Sequence, residues 1–174
     1  MREIRPPSAK RVLDLAGGTL LLVLLSPVLA AAFAVLTATS PGDALLRRTR
    51  AGLGGKPFAM LEFRTRDAGA AGRLLRRFAL DELPQLINVV RGEMSLVGPR
   101  PQPVADLART GPARSRLAVR PGITGLWQIH RDSELPWDER ELLDLEYVDT
   151  HCLAVDLAIL ARTVPVVLNA RTAH

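Results

Sequence analysis

Two adjacent carboxylates, Asp81 and Glu82, follow a run of arginines and form the densest concentration of unlike charges in the chain. A carboxylate can attack phosphorus as a nucleophile, and arginine guanidinium groups bind phosphate oxygens through two parallel hydrogen bonds. Mg²⁺ commonly bridges one or two carboxylates to substrate phosphates. The stretch therefore predicts a site that handles phosphate. The alternative is that Asp81 only caps a helix and that Glu82 is an acid favoured in its first turn. The arginines are Arg73, Arg76 and Arg77.

The element that must position these carboxylates is a helix that we expect to begin at Asp81. Asp81 is a favoured N-cap residue, and Pro84 falls in the first turn, where its missing N–H group is harmless. Gly92 is expected to end the helix. At such a helix start, free N–H groups and the helix dipole would face a bound phosphate. A short amphipathic helix over 69–78 precedes it.

The rest of the chain beyond the N-terminal region predicts further helices and one hairpin. Extended runs at 45–50 and 57–63 flank Gly52-Leu53-Gly54-Gly55, which is typical of a hairpin turn. Apolar periodicity indicates helices over 137–148 and 153–168. The apolar face of the last helix could bury in the core, lie on a membrane or meet a second copy of the chain, so a homo-oligomer is left open. The predicted fold class is mostly α with a small β-hairpin.

Residues 15–39 form an apolar segment without a single charge. The run is longer than the roughly 7–15 apolar residues of a signal peptide, and its length allows a kinked transmembrane helix. Two features favour instead a re-entrant helix-break-helix that enters the membrane and returns. Ser26-Pro27 breaks the run, because proline removes a backbone donor. Both flanks are basic, whereas a spanning helix carries positive charge mainly on its cytoplasmic side. The flanking residues are Arg2, Arg5, Lys10 and Arg11 before the segment and Arg47, Arg48 and Arg50 after it.

Composition narrows the range of functions. The net charge of +5 and the pI near 10.5 suit an anionic partner, such as phosphorylated substrates, anionic lipid or nucleic acid. Four phenylalanines, two tryptophans and one tyrosine are too few for nucleic-acid stacking platforms, so nucleic-acid binding is not expected. The single cysteine, Cys152, excludes an intrachain disulfide and a cysteine-based metal site. His130 and His151 lack metal-ligand spacing, and Tyr147 is expected to pack in the core.

Strings of residues along nearly the whole chain carry a family resemblance. They are Lys10-Arg11-x-x-Asp14, Ser26-Pro27, Gly55-Lys56-Pro57-Phe58, Phe63-Arg64-Thr65, Leu80-Asp81-Glu82-Leu83-Pro84-Gln85-Leu86, Asn88-Val89, Gly92-Glu93-Met94-Ser95-Leu96-Val97-Gly98-Pro99-Arg100-Pro101, Val119-Arg120-Pro121-Gly122-Ile123-Thr124-Gly125, Asp144-x-x-Tyr147-Val148 and Asp156. In this order they resemble the bacterial sugar transferase family, the small monotopic phosphoglycosyl transferases that initiate glycoconjugate assembly. Long strings in the right order make the resemblance specific.

The resemblance implies roles for individual residues. Asp81 resembles the nucleophile that attacks the β-phosphorus of a nucleotide diphosphosugar, releasing UMP when the donor is a UDP-sugar. The phosphosugar then remains on Asp81 until polyprenyl phosphate attacks it. Glu82 resembles the dyad partner that assists with Mg²⁺ or with the acceptor proton, so Mg²⁺ at Asp81 and Glu82 is the implied cofactor. The implied substrate-phosphate ligands are Arg76, Arg100 and Arg120, and the suggested nucleotide contacts are Trp127 and Gln128.

The resemblance also implies a location and a set of partners. Residues 1–40 would form the re-entrant membrane helix with its basic flank, broken at Ser26 and Pro27. Residues 41–174 would form a compact catalytic domain that faces the cytoplasm at the bacterial cytoplasmic membrane. The expected partners are polyprenyl (undecaprenyl) phosphate, a nucleotide-sugar donor and membrane lipids.

The chain departs from the family pattern at several positions. Glu62 stands where a lysine is common, and Arg48 stands where a glutamine is common. Arg66 replaces a methionine, and only residues 67–72 bridge a segment that is usually longer. These departures motivate an alternative function, that of a non-catalytic membrane-attached member that binds lipid or nucleotide-sugar within a glycan assembly complex. The transfer that the resemblance implies would initiate the assembly of an exopolysaccharide, an O-antigen or a glycoprotein glycan.

Overall fold

The computed structural model describes residues 8–39, 42–105, 112–130 and 136–168, and within them the fold is mostly helical with two small sheets. The helices are α1 (Ser8–Leu24), α2 (Ser26–Thr39), α3 (Gly69–Arg77), α4 (Gln85–Arg91), α5 (Trp137–Thr150) and α6 (Leu153–Leu168). The strands are β1 (Leu45–Ala51), β2 (Pro57–Phe63), β3 (Ser95–Val97), β4 (Gln102–Pro103) and β5 (Gly122–Thr124). The predicted class of helices with a minor hairpin is confirmed, and the second sheet is an addition to it.

β1 and β2 form the predicted antiparallel hairpin, paired along their full lengths. The turn contains a short 3-10 segment at Leu53–Gly55, where Gly54 (φ 66°) and Gly55 (φ 81°) take left-handed conformations that glycine adopts without steric cost. β4 adds a short third strand to the other edge of β1. Because side chains alternate along a strand, Arg48 and Arg50 of β1 lie on the same face of this sheet.

The second sheet pairs β3 with β5 in parallel, with Ser95 beside Gly122 and Val97 beside Thr124. The backbones approach so closely that a Cβ atom on Gly122 would lie 2.0 Å from the backbone N of Gly98. Neither strand was predicted from the sequence. Three residues are too few to show alternation, and the neighbouring prolines and glycines indicated irregular structure.

The prediction of a helix beginning at Asp81 is wrong, because α4 begins at Gln85 and Asp81 is not its N-cap. Leu80–Glu82 is instead a separate 3-10 turn. Pro84 explains the interruption, since it has no N–H group with which to continue the backbone ladder through to α4. The helix ends as predicted at Gly92 (φ 85°), in the left-handed conformation typical of a helix C-terminus. The other predicted helices are confirmed, with ends shifted by at most two residues.

α1 and α2 form the predicted helix-break-helix, bent by 58°. Pro27 cannot donate a backbone hydrogen bond to Val23, four residues earlier, and the Ser26 hydroxyl donates to the Val23 carbonyl instead, at 2.7 Å. Among the described helices, none is long and apolar enough to cross a membrane singly, whereas this bent pair passes on length and composition. The re-entrant course in a membrane stays a prediction, and Arg2 and Arg5 of its flank lie outside the described residues.

The bent pair carries an extended series of large apolar side chains that face outward. A contiguous exposed apolar surface of this kind marks an interaction surface rather than ordinary solvent exposure. Its members are Val12, Leu15, Leu20, Leu21, Val23, Leu24, Val28, Phe33 and Val35. The opposite side of α1 packs on α4 and β3, where Gly17 and Gly18 allow Leu96 and Val89 to approach.

Lys10 of α1 is buried at the junction of four elements. Its ammonium donates to Asp156 of α6 at 2.6 Å, and to the Tyr147 hydroxyl of α5 and the Val97 carbonyl of β3, both at 3.1 Å. The Tyr147 hydroxyl donates to the second oxygen of Asp156 at 2.6 Å. Tyr147 is fully buried, which confirms its predicted packing role. The network therefore joins the first helix to the last and to the parallel sheet.

Asp14, one turn further along α1, binds β3 directly. Its Oδ1 accepts hydrogen bonds from the Ser95 hydroxyl at 2.8 Å and from the Leu96 backbone N–H at 2.9 Å. α1 is thus attached to the fold by buried polar contacts as well as by apolar packing. The proposed division into residues 1–40 and 41–174 stays a prediction.

α6 buries one face and exposes the other. Asp156 and Ile159 are buried, whereas Leu153, Leu157 and Val164 are exposed. Of the three alternatives for its apolar residues, burial in the core applies to the Ile159 face. The membrane and a second copy of the chain remain the alternatives for the exposed face.

We expect Lys10→Met to lower the free energy of unfolding by about 3–5 kcal/mol, because Asp156 would be left as an uncompensated buried charge. Equilibrium denaturant unfolding in detergent measures the change. Arg91→Met, at an exposed position at the end of α4, is the control and should cost less than about 1 kcal/mol. Adding Asp156→Leu to Lys10→Met should restore part of the loss. Equal stability of the Lys10 and Arg91 variants would contradict the assigned role.

Candidate active site

A cavity of about 240 Å³ lies between the hairpin, the 3-10 turn at Leu80–Glu82 and the loops that follow β3 and β5. Its wall is dominated by charged side chains. The lining residues are Leu46, Arg48, Arg50, Met60, Glu62, Phe63, Thr65, Arg66, Arg76, Asp81, Glu82, Gln85, Arg100, Pro101, Gly122, Ile123 and Gln128. The structure thus brings together five of the predicted site residues, which are Asp81, Glu82, Arg76, Arg100 and Gln128.

A strained turn presents the two adjacent carboxylates to the cavity. Ala79 takes a left-handed conformation (φ 52°, ψ 25°), the only positive φ at a non-glycine residue in the described part of the chain. A Cβ atom makes this conformation unfavourable by about 1–2 kcal/mol, so surrounding contacts must hold it. The Ala79 carbonyl accepts the N–H of Glu82 at 3.2 Å. This bond winds Asp81 and Glu82 into a tight turn beside the cavity.

Burial raises the pKa of both carboxyl groups above its ordinary value. The negative charge of Glu62 raises the pKa of both carboxyl groups further, and the charge of Asp81 also raises the pKa of Glu82. The guanidinium group of Arg100 acts in the opposite direction on both, and that of Arg76 does so on Asp81. The carboxylates therefore lie in a site where additional positive charge would favour their ionised forms.

Arg100 contacts Glu82 of the dyad, and the backbone of Arg100 is bound by Arg116. The Arg100 Nη2 donates to Glu82 Oε1 at 3.1 Å. The Arg100 carbonyl accepts a long hydrogen bond of 3.4 Å from Arg116, which forms a buried ion pair with Asp144 of α5. Burial raises the pKa of Asp144 to about 6, although the guanidinium of Arg116 acts against this. The Arg116–Asp144 pair thus fixes the backbone that carries Arg100.

Arg76 is fixed to the end of the hairpin. Its Nη1 donates to the Thr65 carbonyl at 2.7 Å, just beyond β2. α3 can approach this carbonyl because Gly72 has no side chain, and a Cβ atom there would lie 2.0 Å from it. Arg76 therefore reaches the cavity with part of its guanidinium already anchored, which would lower the conformational entropy lost if it bound a phosphate.

Gln128 and Trp127 differ in their relation to the cavity. Gln128 lines it, and its Nε2 donates to the Ile123 carbonyl at 2.9 Å, while its Oε1 has no hydrogen-bond partner within the described ranges. Trp127 does not line it. The Trp127 ring instead lies near the guanidinium groups of Arg100, at 5.8 Å, and Arg140, at 5.2 Å, within cation–π range. Trp127 thus supports Arg100, and a nucleotide contact by either residue stays a prediction.

Arg120, the third predicted phosphate ligand, is not brought to this cavity. Its Nε donates to the Gly92 carbonyl at 2.8 Å, at the C-terminus of α4. Arg11 binds the same helix end through the Val89 and Val90 carbonyls, at 2.8 and 2.9 Å. Burial lowers the pKa of Arg120, and the nearby charge of Arg11 lowers it further. The contacts of Arg120 are therefore those of a cation at a helix C-terminus.

Four charged residues of the cavity were not assigned to the site by sequence reasoning: Arg48, Arg50, Arg66 and Glu62. A signal was available for two of them, since Arg48 and Arg50 alternate along a predicted strand and must share a face. Glu62 pairs with Arg48 through its Oε1. The two family departures noted at these positions are therefore partners of each other in the structure.

The side chains that could bind a metal ion can be compared with the ligands that Mg²⁺ requires. No group of three or more His, Cys, Asp and Glu side chains suited to a metal ion occurs in the described part of the chain. Mg²⁺ does not require one, because it commonly binds through one or two carboxylates and completes its shell with waters and substrate phosphates. Asp81 and Glu82 fit this mode, and the cation would favour their ionised forms against the effect of burial.

The arrangement as a whole suits phosphoryl transfer. Adjacent carboxylates face a polar cavity together with arginines that approach from α3 and from the loop after β3. Such guanidinium groups can hold phosphate oxygens while a carboxylate oxygen attacks the phosphorus. Neither His130 nor His151 lines the cavity. Each donates one local hydrogen bond from Nδ1, to the carbonyl of Leu126 and of Val148 respectively.

Comparison with known proteins agrees with this phosphoryl-transfer chemistry. The sequence matches the bacterial sugar transferase family over residues 6–170. It is 40% identical to a protein of Caulobacter vibrioides named UDP-glucose:undecaprenyl-phosphate glucose-1-phosphate transferase, and the alignment covers 95% of this chain and 72% of that protein.

Two further relatives show the range of names in the group. The exopolysaccharide production protein ExoY of Rhizobium meliloti is 33% identical, over 95% of this chain and 88% of its own. The undecaprenyl-phosphate galactose phosphotransferase of Salmonella typhimurium is 46% identical over 101 residues, which cover 58% of this chain and 21% of that protein.

We expect Gly122→Ala to destabilise the fold and disturb the cavity, because the new Cβ atom would press on the backbone of Gly98 and force β3 and β5 apart. A loss of about 3 kcal/mol, the upper end of the overpacking range, would lower Tm by about 6–12 °C in a protein of this size. Thermal unfolding followed by circular dichroism in detergent measures it. Gly17→Ala is the matched comparison and should lower Tm by less, since its Cβ would meet the terminal methyl group of Leu96 rather than backbone atoms. Unchanged Tm in Gly122→Ala would refute the close parallel pairing.

Proposed function

The chain belongs to the bacterial sugar transferase family and is a polyprenyl-phosphate sugar 1-phosphate transferase, and we propose that it works through a covalent phosphosugar intermediate on Asp81. The proposed donor is a UDP-sugar and the proposed acceptor is undecaprenyl phosphate, the substrates that appear in the names of its curated relatives. The observation that supports the proposal is the convergence of Asp81, Glu82, Arg76 and Arg100 on one cavity.

In the first step, a carboxylate oxygen of Asp81 attacks the β-phosphorus of the donor. The new bond joins that oxygen to phosphorus, and the bond between the β-phosphorus and the bridging oxygen breaks, so UMP leaves with the electron pair. Arg76 and Arg100 line the cavity together with the dyad, Arg100 donates to Glu82, and the two guanidinium groups stabilise the charge on the phosphoryl oxygens. Positioning and charge neutralisation are the main demands of phosphoryl transfer.

In the second step, an oxygen of the lipid phosphate attacks the same phosphorus. The bond to Asp81 breaks, the free carboxylate returns, and the product is a polyprenyl diphosphosugar. Glu82, adjacent to Asp81 and bound to Arg100, is placed to accept a proton from the acceptor phosphate if it arrives as the monoanion. The name of the Rhizobium meliloti relative favours exopolysaccharide as the glycan that this product would initiate.

Mg²⁺ is the proposed cofactor, held by Asp81 and Glu82. When bound, the ion neutralises phosphate charge and orients the diphosphate of the donor. The protein contributes the two carboxylates, while Arg100 limits the motion of Glu82 through their ion pair. The remaining ligands would come from water and from the substrate.

The acceptor is a lipid, so the cavity must be presented to a membrane. We propose that α1 and α2 enter the cytoplasmic face of the bacterial membrane and return, with the catalytic domain in the cytoplasm. The 58° bend, the outward apolar side chains of both helices and the Ser26 hydrogen bond at the break support this course. In lipid, the carbonyl of Val23 has no water to bind, so the Ser26 hydroxyl becomes the partner that makes the break tolerable.

We expect Asp81→Asn to abolish UMP release, because an amide is a poor nucleophile towards phosphorus. Glu82→Gln should retain a small residual rate, and Asp138→Asn, on the exposed first turn of α5, should match the unaltered protein. The measurement uses protein in nanodiscs with Mg²⁺, undecaprenyl phosphate and a panel of UDP-sugars that begins with UDP-glucose and UDP-galactose. Full activity in Asp81→Asn would refute the assignment of Asp81 as the nucleophile.

The same assay separates the catalytic proposal from the non-catalytic alternative. Lipid-dependent UMP release with one or more sugars supports the transferase and identifies the donor. Folded protein that binds UDP-sugar and lipid but releases no UMP with any donor would favour a binding member of a glycan assembly complex.

We expect both ends of the bent pair to lie on the cytoplasmic side. In a Cys152→Ser background, Ala9→Cys and Thr39→Cys place thiols at exposed positions at the start of α1 and the end of α2. A membrane-impermeant maleimide should label neither in intact spheroplasts and both after permeabilisation. Labelling of only one of them in intact spheroplasts would show a spanning course instead.

A further inference from the structure

The cavity contains a charge pair that the dyad chemistry does not use. Arg48 of β1 and Glu62 of β2 both line it, and the Arg48 Nε donates to Glu62 Oε1 across the hairpin. The arginine side chain is 41% exposed and the glutamate 18%, so the pair is reached from the cavity rather than sealed in the core. An ion pair this accessible adds little to stability.

We propose that Arg48 is a further substrate-phosphate ligand, held in position by Glu62, and that it binds the nucleotide-side phosphate of the donor, the one that leaves. The assignment rests on the proposed function, which supplies a diphosphate with two phosphate groups to be held.

The hydrogen-bond arrangement of the pair supports this role. Glu62 occupies the Nε edge of the guanidinium, and the two terminal nitrogens of Arg48 have no hydrogen-bond partner among residues 8–39, 42–105, 112–130 and 136–168. Those nitrogens are the ones that form a two-pronged contact with phosphate. Because the pair fixes the side chain before the ligand arrives, less conformational entropy is lost on binding.

The position of the pair indicates which phosphate it serves. Arg100 donates to Glu82 of the dyad, whereas Arg48 donates to Glu62 and forms no hydrogen bond with either carboxylate of the dyad in the described part of the chain. Arg48 is therefore held on the hairpin, one side chain away from the dyad. Arg76 and Arg100 are placed for the phosphorus that Asp81 attacks, and Arg48 is placed for the neighbouring one.

Arg48→Gln tests the assignment, with Arg47→Gln as the matched control because Arg47 is exposed on the same strand and does not line the cavity. Loss of a charged hydrogen bond to phosphate should raise the donor KM by about 10- to 100-fold, with a much smaller change in kcat and no change in the KM for undecaprenyl phosphate. Arg47→Gln should leave the donor KM, kcat and the KM for undecaprenyl phosphate unchanged. An unchanged donor KM, or a rise confined to the acceptor KM, overturns the proposal.

Variants of Glu62 test the positioning role. Glu62→Gln should raise the donor KM in the same direction but by less, since Arg48 remains but is held less firmly. Arg48→Gln combined with Glu62→Lys returns a cation from the opposite strand and should recover much of the donor affinity lost in Arg48→Gln. Failure of the double variant to recover any of it, in protein with an unchanged Tm, would contradict a phosphate-binding role for the charge.

Calorimetric titration with UDP separates this assignment from the proposed reaction. In the Asp81→Asn background, where no transfer occurs, Arg48→Gln should weaken UDP binding about tenfold or more. A protein that binds UDP through Arg48 yet releases no UMP from any donor would refute the transfer reaction and support the assignment. If the unaltered protein releases UMP but Arg48→Gln leaves UDP binding unchanged, the transfer reaction is supported and the assignment of Arg48 is refuted.

Discussion

The buried ion pair between Lys10 and Asp156 is the contact on which the arrangement of the other elements depends. Placing two charges in the interior is unfavourable unless every remaining donor and acceptor is satisfied, and here the Tyr147 hydroxyl and the Val97 carbonyl complete the set. The pair can therefore form only when α1, β3, α5 and α6 adopt one relative position. β3 leads directly into the loop that carries Arg100, so the same contact that secures α1 also places a cation of the cavity.

The consequence for function is a fixed relation between the apolar helices and the cavity. α1 is attached by Lys10, by Asp14 and by close packing on α4, and its outward face is apolar. The proposed lipid acceptor needs such a relation, because its tail would remain in the bilayer while its phosphate reaches Asp81. The charges of the cavity suit the proposed nucleotide-sugar donor, because arginines line it together with the two adjacent carboxylates and Glu62 binds one of these arginines.

Some of this was predictable from the sequence and some was not. The hairpin followed from the glycines at 52–55, and the helix break followed from Ser26-Pro27, because both signals act locally. The start of α4 was misplaced because Asp81 and Pro84 are each compatible with a helix start, and only the backbone ladder decides between a 3-10 turn and an α-helix. β3 and β5 were missed because a three-residue parallel strand depends on a partner distant in sequence.

The same distinction applies to the site. The carboxylates and Arg76 were predicted from their charge pattern and from the resemblance, and they meet Arg100 and Gln128 at the cavity, whereas Arg120 lies at the end of α4. The pairing of Arg48 with Glu62 was not predicted, because it depends on the register of the hairpin.

Mass spectrometry of the protein after incubation with donor and Mg²⁺, in the absence of lipid acceptor, tests the central claim most directly. Rapid quenching and digestion should give a peptide containing Asp81 that is heavier by one sugar phosphate, and undecaprenyl phosphate should remove the adduct. Full turnover without any adduct, or an adduct on Glu82 in place of Asp81, would contradict the account.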